Sequence, residues 1–487
     1  MDGAILEKRE SGDQKATPEV GLTAMEGTVA GMTFGEEQFG AARLGDRRRT
    51  ARLVELADRI ANHPGGMLPD KVNSPSGLKA LYRLMDCEEV THRAVLESPR
   101  QRTLEKMAAA AGTVLVIHDG SELDFTGLKS IAALGQIGNG GNRGYVAHKV
   151  LAVVAETREV LGLAYQHLAR RPKVTEKETR EQHRDRADRE SRWWKIASKQ
   201  IPAPAPGRLQ VEMAERGADV LEFLDFMESS GKYYVVRSKH NRRISLENGE
   251  ETKLHDFARK LPAGGRRTVE VAATAQRPAR TATVAVSWAK VTLLVPKQPR
   301  GEIRGVPLTT WVVRVAEIDP PPGVEPLEWI LLTNVPVDDR ADADQRIACY
   351  QCRWIIEEYH KGWKTGCQVE DMQFTTEDRL QPAIALISVV AVSLLQLRDA
   401  SRRPDAETRL ATCLFPVLLV RALSLWRYGK QRQDVTVREF CYALARLGGH
   451  QNRKSDHRPG WLVLRRVWTK LQAMAEHAAA LARERCG

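Results

Sequence analysis

The segment TVLVIHD, residues 113–119, is a run of aliphatic and β-branched residues that ends in an acid. A short apolar run of this kind predicts a buried strand with Asp119 at its end. Two further apolar runs follow, at residues 144–156 and 159–168, with a turn between them. Three adjacent strands are therefore expected at the start of one sheet.

The next part of the chain predicts alternating helices and strands. In order, they are a charged helical stretch at about 174–200, a fourth strand at about 208–214, a helix at about 218–230 and a fifth strand at 232–238. Three adjacent strands, a helix, a strand, a helix and a strand form the mixed sheet of ribonuclease H-like domains. Such a sheet brings the ends of its first and fourth strands together. Asp119 and Glu215 are therefore expected to share one cleft.

The fold class expected from these patterns is α/β, a ribonuclease H-like mixed sheet with an antiparallel β insertion, flanked by helical N- and C-terminal domains. The insertion is expected at about 245–340, because residues 268–336 contain four segments of alternating apolar and polar residues. The predicted parts of the chain are a disordered tail at 1–32, a helical domain at 33–110, the sheet domain at 111–375 and a second helical domain at 376–487.

The composition favours a polyanionic partner such as nucleic acid. Lys and Arg number 74 against 62 Asp and Glu, which gives a net charge of +12. Seven scattered cysteines suit a reducing compartment, and residues 1–30 contain no apolar signal core, so we expect a cytoplasmic protein. The longest apolar run, residues 383–397, is interrupted by polar residues and is short for a membrane span, which predicts a buried helix.

The segment YQCRWIIEEYHKGWKTG, residues 350–366, contains the most specific pattern in the chain. On one continuous helix, one stripe about 60° wide would contain Tyr350, Arg353, Glu357 and Lys364. The opposite, packed side would contain Ala348, Cys352, Ile356, Tyr359 and Trp363. A carboxylate for a metal ion among cationic and phenolic phosphate ligands suits a phosphodiester site. The alternative is an ordinary amphipathic helix with its charged face in water.

This segment resembles the Tyr-Arg-Glu-Lys signature of cut-and-paste DDE transposases of the insertion-sequence-four family. The segments LGDRRRTARL, IHD, ERGAD, VVRSKH and EWILLT also occur in the family's order. The resemblance implies a ribonuclease H-like core in which three acids bind two Mg²⁺ ions, for which Mn²⁺ can substitute. The matching acids in this chain are Asp119, Glu215 and Glu357.

The resemblance also implies contacts with double-stranded DNA at transposon terminal inverted repeats and with target DNA. Phosphates near the cleaved end would contact Tyr350, Arg353 and Lys364, and a flipped base would lie near Trp329. Other DNA contacts would come from Arg237, Lys239 and His240 in the sheet domain and from Arg47, Arg48 and Arg49 in the N-terminal DNA-binding domain. The C-terminal helices would pair two subunits, which makes the heptad-like set Trp461, Leu464, Trp468, Leu471 and Ala475 a candidate dimer face, with packing inside the same chain as the alternative.

The chain departs from the family pattern at Glu215, where the family has Asp. A Glu carboxylate lies about 1.5 Å farther from the backbone, and a misplacement near 1 Å can cost about 100-fold in rate. We therefore expect impaired cleavage, unless backbone adjustment lets Glu215 serve. Asp219 is an alternative ligand, and Asp188 resembles the motif without a strand before it. A DNA-binding protein without catalysis, such as a repressor or a domesticated relic, and, less well, a stand-alone ribonuclease remain alternatives.

Overall fold

The N-terminal part of the chain is helical, as its periodicity predicts. The computed structural model describes residues 32–171, 188–271, 279–297, 302–453 and 459–484, together with residues 179, 182, 186 and 456. Residues 1–31 of the tail predicted at 1–32, and most of residues 174–187 of the charged helical stretch predicted at about 174–200, lie outside the described residues. The first five helices are α1 (Phe34–Phe39), α2 (Arg47–Asn62), α3 (Leu68–Val72), α4 (Pro75–Met85) and α5 (His92–Ala109).

Helix α2 shows how local sequence and packing agree in this region. The Asp46 side chain caps its first turn by accepting the backbone N–H of Arg48 at 2.8 Å. The apolar side chains Leu53, Leu56 and Ile60 are fully buried, as their helical spacing predicts. Their burial joins α2 to the apolar core that continues under the sheet.

The described strands form a single mixed sheet. They are β1 (Val114–Asp124), β2 (Gly135–Gln136), β3 (Arg143–Val154), β4 (Val160–Ala169), β5 (Gln210–Ala214), β6 (Tyr233–Arg237), β7 (Arg243–Ser245), β8 (Glu251–Lys253), β9 (Gly265–Val271), β10 (Arg280–Leu293), β11 (Leu308–Glu317) and β12 (Glu328–Thr333). The first part of the sheet has the order β4-β3-β1-β5-β6, in which β3 is antiparallel to both neighbours and β5 and β6 run parallel to β1. This is the ribonuclease H-like mixed sheet that the strand order predicts.

The β insertion is antiparallel, as predicted, and it continues the same sheet. Strand β12 pairs with β6, β11 pairs with β12, and β10 pairs with β11. Strand β12 therefore covers the edge that β6 would otherwise expose.

Strand β1 is longer than the sequence suggested. It was expected to end at Asp119, but pairing with β3 continues through Asp124, which faces Gly144. The five residues after Asp119 are less apolar and gave no strand signal of their own. Pairing with a buried neighbour, and not local hydrophobicity, therefore extends the strand.

Further helices cover both faces of the sheet and form the C-terminal part of the chain. They are α6 (Glu190–Lys199), α7 (Leu221–Ser229), α8 (Leu254–Lys260), α9 (Arg340–Gln351), α10 (Trp354–Lys361), α11 (Glu377–Ala400), α12 (Val417–Tyr428), α13 (Val437–Leu447) and α14 (Trp461–Glu484). Helices α6, α7 and α8 cover one face through Trp194, Phe223 and Leu254. The opposite face shares its core with α11 and the N-terminal helices.

Helix α11 is the buried core helix that residues 383–397 predict. It is long and apolar enough to cross a membrane, but 78% of its most apolar window is buried inside the protein. Its polar Ser388 is also buried and accepts a hydrogen bond from Gln166 of β4 at 3.0 Å. The Ser388 carbonyl accepts the hydroxyl of Tyr359 at 3.0 Å, which fastens α10 to α11.

The predicted dimer face on α14 is wrong for the side chains that the structure describes. Leu464, Leu471 and Ala475 are buried within their own chain, against a second apolar core formed with α12 and α13. Trp468 packs near the stacked rings of Phe415 and Phe440, whose centroids lie 4.2 Å apart. A heptad-like pattern cannot distinguish a subunit partner from a partner in the same chain, and here the partner is intramolecular.

We expect Leu471→Ala to lower the free energy of unfolding by about 2–5 kcal/mol, because it leaves a cavity in this second core. The matched control is Leu418→Ala on α12, which is 45% exposed and should change stability by only about 0.5 kcal/mol or less. Chemical denaturation of the full chain measures both. Equal, small losses for the two variants would contradict the packing of α14.

Candidate active site

The pairing of β1 with β5 places the first two predicted acids at the same level of the sheet. Ile117 faces Met213 in the parallel register. Asp119 and Glu215 each follow two residues later, so both project to the same face as that pair. The sequence prediction that the two acids share one cleft therefore has a direct basis in the strand register.

The third acid lies on a broken helix, and the prediction of one continuous helix over residues 350–366 is wrong. Helix α9 ends at Gln351, α10 begins at Trp354, and the turn between them is tightened. There Arg353 N–H donates to Tyr350 O at 3.0 Å and Ile356 N–H donates to Arg353 O at 3.1 Å. Residues Gly362–Gly366 then widen into a π-helical turn. Successive residues are therefore not spaced at a uniform 100° around one helix axis, either before or after Glu357.

These irregularities change which side chains lie together on the predicted stripe. Most of the residues that were predicted on the packed side are nevertheless buried. Cys352, Ile356, Tyr359 and Trp363 are buried as predicted, whereas Ala348 is exposed. Tyr350 was predicted on the open stripe, but only 5% of it is exposed because its ring packs edge-on against Trp329. Tyr350 therefore lies against β12 and not on an open face.

Asp119 and Glu357 come together and share one guanidinium group. Arg353 Nη1 lies 3.3 Å from Asp119 Oδ2 and 3.0 Å from Glu357 Oε1. The side chain of Arg353 is only 13% exposed, so this double ion pair is poorly screened by solvent. Without an opposite charge, two carboxylates this close would repel each other strongly.

The two acids respond differently to these surroundings. Burial, together with the charge of Glu357, raises the pKa of Asp119 to about 7. Contacts with His360 and Arg353 lower the pKa of Glu357 to about 2. Burial and the nearby Lys149 lower the pKa of His360 to about 3, so its imidazole is neutral at pH 7. Opposite shifts in neighbouring groups of a cleft are typical of a functional site.

Asp119, Glu357 and His360 form a group with the geometry of a metal site. One potential ligand atom from each residue lies within 4.8 Å of the other two, among the residues that the structure describes. Carboxylate oxygens and a neutral imidazole nitrogen are ligands for divalent cations. The donor set therefore fits a divalent ion, and the third predicted acid, Glu215, is outside this group.

The Glu215 carboxylate makes a local hydrogen bond. Its Oε1 accepts the backbone N–H of Gly217 at 2.9 Å and caps the short 3₁₀ turn Arg216–Ala218. A Cβ atom at residue 217 would lie 2.5 Å from that oxygen, so only glycine leaves room for the folded carboxylate. The charge of Glu215 helps to raise the pKa of Asp119, although burial and the charge of Glu357 contribute more. Glu215 therefore lies close enough to act on the site, but without joining the ligand group.

Two family models match this chain. A transposase DNA-binding model matches residues 32–90. A transposase DDE domain model matches residues 111–393, which is more than half of the 487 residues. The chain belongs to the DDE transposase family. The match covers Asp119, Glu215 and Glu357, and the family's use of divalent metal agrees with the acidic group at Asp119 and Glu357.

The sequence offered two other carboxylates, Asp219 and Asp188, and neither belongs to the group formed by Asp119, Glu357 and His360. Asp219 is fully buried and accepts the backbone N–H groups of Lys239 and His240 at 2.7 and 2.8 Å. It also forms an ion pair with Arg242 at 2.8 Å. Asp219 therefore holds the RSKH segment, residues 237–240, in place at the end of β6. The suggestion that a shifted metal could use Asp219 is wrong. Asp188 lies in an exposed turn and pairs with Arg186 at 3.0 Å.

The predicted DNA-contacting residues fall into separate groups. Near the acids, Arg237 lies beside the Tyr350–Trp329 contact and donates to the carbonyl of Glu328 at 2.9 Å. The side chains of Lys239 and His240 are exposed at the end of β6.

The structure shows the remaining predicted cations exposed or paired with other acids. Lys364 does not join Glu357 but pairs with Glu370 at 3.3 Å. In the DNA-binding domain Arg47 and Arg48 are exposed, whereas Arg49 is partly buried and pairs with Glu89 at 2.6 Å.

Sequence analysis missed two buried groups beside the acids. His360 follows Glu357 by three residues, a helical spacing that could have indicated contact. Lys149 faces Asp119 directly across β1 and β3, and it is fully buried with its Nζ 3.6 Å from the centre of the Trp363 ring. A lysine inside an apolar strand carries no signal in one sequence, because only the strand register shows which acid it faces.

The raised pKa of Asp119 predicts a pH-dependent gain in stability for Asp119→Asn in the metal-free transposase. The penalty for ionised Asp119 is absent below about pH 4, grows between about pH 4 and 7, and is complete above pH 7. The melting temperature of Asp119→Asn should therefore exceed that of the wild type at pH 8, by a margin that shrinks at pH 5.

The matched control for this experiment is Asp219→Asn. Arg242 and the backbone N–H groups of His240 and Lys239 outweigh burial and lower the pKa of Asp219. Removing its charge should therefore destabilise the protein at pH 8. The same sign of change for both variants in a chelator-containing buffer would contradict the electrostatic assignment.

Proposed function

We propose that this protein is a cut-and-paste transposase of the insertion-sequence-four family, similar to the transposase of bacterial transposon five. It would bind the terminal inverted repeats of its element, cut both strands at each end and join the ends to target DNA. The observation that carries the proposal is the meeting of Asp119 and Glu357 around Arg353, which is 234 residues from Asp119 in sequence. The match to the transposase DDE domain supports it.

The proposed reaction has four steps and needs no nucleophile from the protein. Water hydrolyses one strand at the transposon end, and the freed 3′-OH attacks the opposite strand to form a hairpin. Water then opens the hairpin, and the 3′-OH attacks target DNA. When bound, two Mg²⁺ ions would activate the attacking oxygen and stabilise the leaving oxygen. Asp119 and Glu357 would hold the ions, with Glu215 as the third acid if it turns from Gly217.

Arg353 would have two partners during this cycle. In the free protein its guanidinium balances the charge of Asp119 and Glu357. A DNA phosphate offers two oxygens that the planar guanidinium can bind in a bidentate pair. We therefore propose that Arg353 contacts a phosphate near the cleaved end, beside the wall formed by Tyr350 and Trp329.

The proposed DNA-binding surface would extend from Tyr350 and Trp329 to the N-terminal domain. The exposed Lys239 and His240 are held in place by the buried Asp219. The exposed Arg47 and Arg48 begin α2, within the region that matches a transposase DNA-binding model. Cations on both domains would bind the phosphates of one transposon end.

We also propose that two subunits pair when two transposon ends are brought together. Helix α12 supports this, because it exposes large apolar side chains, namely Val417, Leu418, Leu425 and Trp426. Exposed apolar groups of this size are typical of interaction surfaces. Sedimentation of Leu418→Ala with paired end DNA would test the surface, and unchanged assembly would count against it.

Cleavage by wild type and Glu215→Asp tests the proposed chemistry. We expect Glu215→Asp to cleave the element's own terminal repeat about 10- to 100-fold faster with Mg²⁺, because its shorter side chain restores the family's ligand position. Glu357→Gln is the inactive control. Equal rates for wild type and Glu215→Asp would show that Glu215 already serves. No cleavage by either chain would contradict the proposed activity.

End-binding measurements test the phosphate contacts of Arg353 and Lys364. Arg353→Ala and Lys364→Ala should each weaken binding to cleaved ends and reduce the slope of log affinity against log salt by about one. Lys470→Ala is the control, because Lys470 is exposed on α14, outside the proposed DNA surface. Affinity and slope equal to those of this control would exclude both residues as phosphate ligands.

A further inference from the structure

His360 is a buried histidine whose second ring nitrogen has no hydrogen-bond partner in the described chain. Its side chain is 10% exposed, and its Nδ1 lies 3.9 Å from Glu357 Oε2. Its Nε2 is buried and makes no hydrogen bond within that part of the chain. Ring nitrogens of His118 and His148 are buried in the same way. His360 differs from them because its ring lies beside two carboxylates with which it could hold a metal ion.

The partly buried His92 shows one way in which such a ring is satisfied. His92 Nε2 lies 3.0 Å from the side-chain oxygen of Gln166, within hydrogen-bond distance. The groups around His360 are instead two carboxylates with ligand atoms within 4.8 Å, and the two lysines Lys149 and Lys364, whose charges act on its ring. The carboxylates and the imidazole could share a divalent ion.

We propose that His360 is a ligand of a divalent ion held by Asp119 and Glu357, so that this site contains nitrogen and prefers Mn²⁺ to Mg²⁺. Ligand atoms about 2.0–2.3 Å from one ion are at most about 4.6 Å apart. The observed limit of 4.8 Å among the three residues needs only a small contraction. The inference deepens the proposed function, since it takes Asp119 and Glu357 as ligands.

The two oxygens of Glu357 already have separate neighbours. Its Oε1 accepts a hydrogen bond from Arg353 at 3.0 Å, whereas its Oε2 is the oxygen that faces His360. An ion beside Oε2 and His360 therefore does not require Arg353 to leave Oε1. Glu215 is hydrogen-bonded to Gly217 and lies outside the group of ligand atoms. His360 would therefore be the third protein ligand of the ion, beside Asp119 and Glu357.

The chemical consequence is metal selectivity. Mg²⁺ takes oxygen ligands and keeps much of its water, whereas an imidazole nitrogen suits later, softer divalent ions better. A histidine that only oriented Glu357 would affect the binding of both ions equally. Selective loss of Mn²⁺ binding therefore distinguishes a ligand from a positioning residue.

The test uses the full chain without DNA and measures Mn²⁺ binding from the electron paramagnetic resonance signal of the free ion. Mg²⁺ affinity follows from competition. We expect His360→Asn to weaken Mn²⁺ binding about tenfold or more and Mg²⁺ binding less than about threefold. The matched control, His167→Asn, changes an exposed histidine and should alter neither affinity.

Pulsed electron paramagnetic resonance gives a second measurement that needs no variant. Mn²⁺ bound to the wild-type chain should show coupling to a ¹⁴N nucleus, which His167→Asn retains and His360→Asn loses. Absence of this coupling in the wild type, or equal losses of Mn²⁺ and Mg²⁺ affinity in His360→Asn, would overturn the inference. His360→Gln replaces His360→Asn if that variant does not fold.

Glu357→Gln separates failure of this inference from failure of the proposed function. It should weaken the binding of both ions, whatever the role of His360. Unchanged affinity in Glu357→Gln would remove Glu357 as a ligand, and with it both proposals. Weaker binding in Glu357→Gln with no nitrogen coupling in the wild type would overturn the role of His360 alone.

Discussion

The parallel pairing of β1 with β5 is the constraint on which the site depends. It brings together residues almost a hundred positions apart and places Asp119 and Glu215 at one level and on one face. The same two strands present His118 and Glu212 to the opposite face, where His118 Nε2 lies 3.0 Å from Glu212 Oε2. A slip of one residue between the strands would move the acids out of the cleft.

Closely spaced carboxylates make this cleft electrostatically costly, and the surrounding residues offset the cost. Arg353 contacts Asp119 and Glu357 at once, and Lys149 faces Asp119 from the neighbouring strand. Burial nevertheless raises the pKa of Asp119 to about 7. A bound divalent ion would favour the ionised form. The free site is therefore less stable than an apolar core of the same size would be, which is a common property of sites kept for function.

Much of the fold and part of the site could be predicted from the sequence. The strand order, the antiparallel insertion, the buried helix α11 and the packed side of α10 follow from apolar periodicity, because burial repeats every two residues in a strand and about every 3.6 in a helix. The predicted helical stripe failed at the tightened turn after Tyr350 and at the π turn from Gly362. No residue type in that segment requires either irregularity.

The sequence by itself determined the order of the strands, the helical regions around them, the basic charge and the residues that carry the family's signature, since these depend on local periodicity and residue type. Only the tertiary structure decided that Asp219 holds the RSKH segment, that α14 packs within its own chain and that His360 lies beside Asp119. The physical reason is that each of these depends on which distant backbone or side chain reaches a given atom. Contacts of that kind are set by strand register and helix packing.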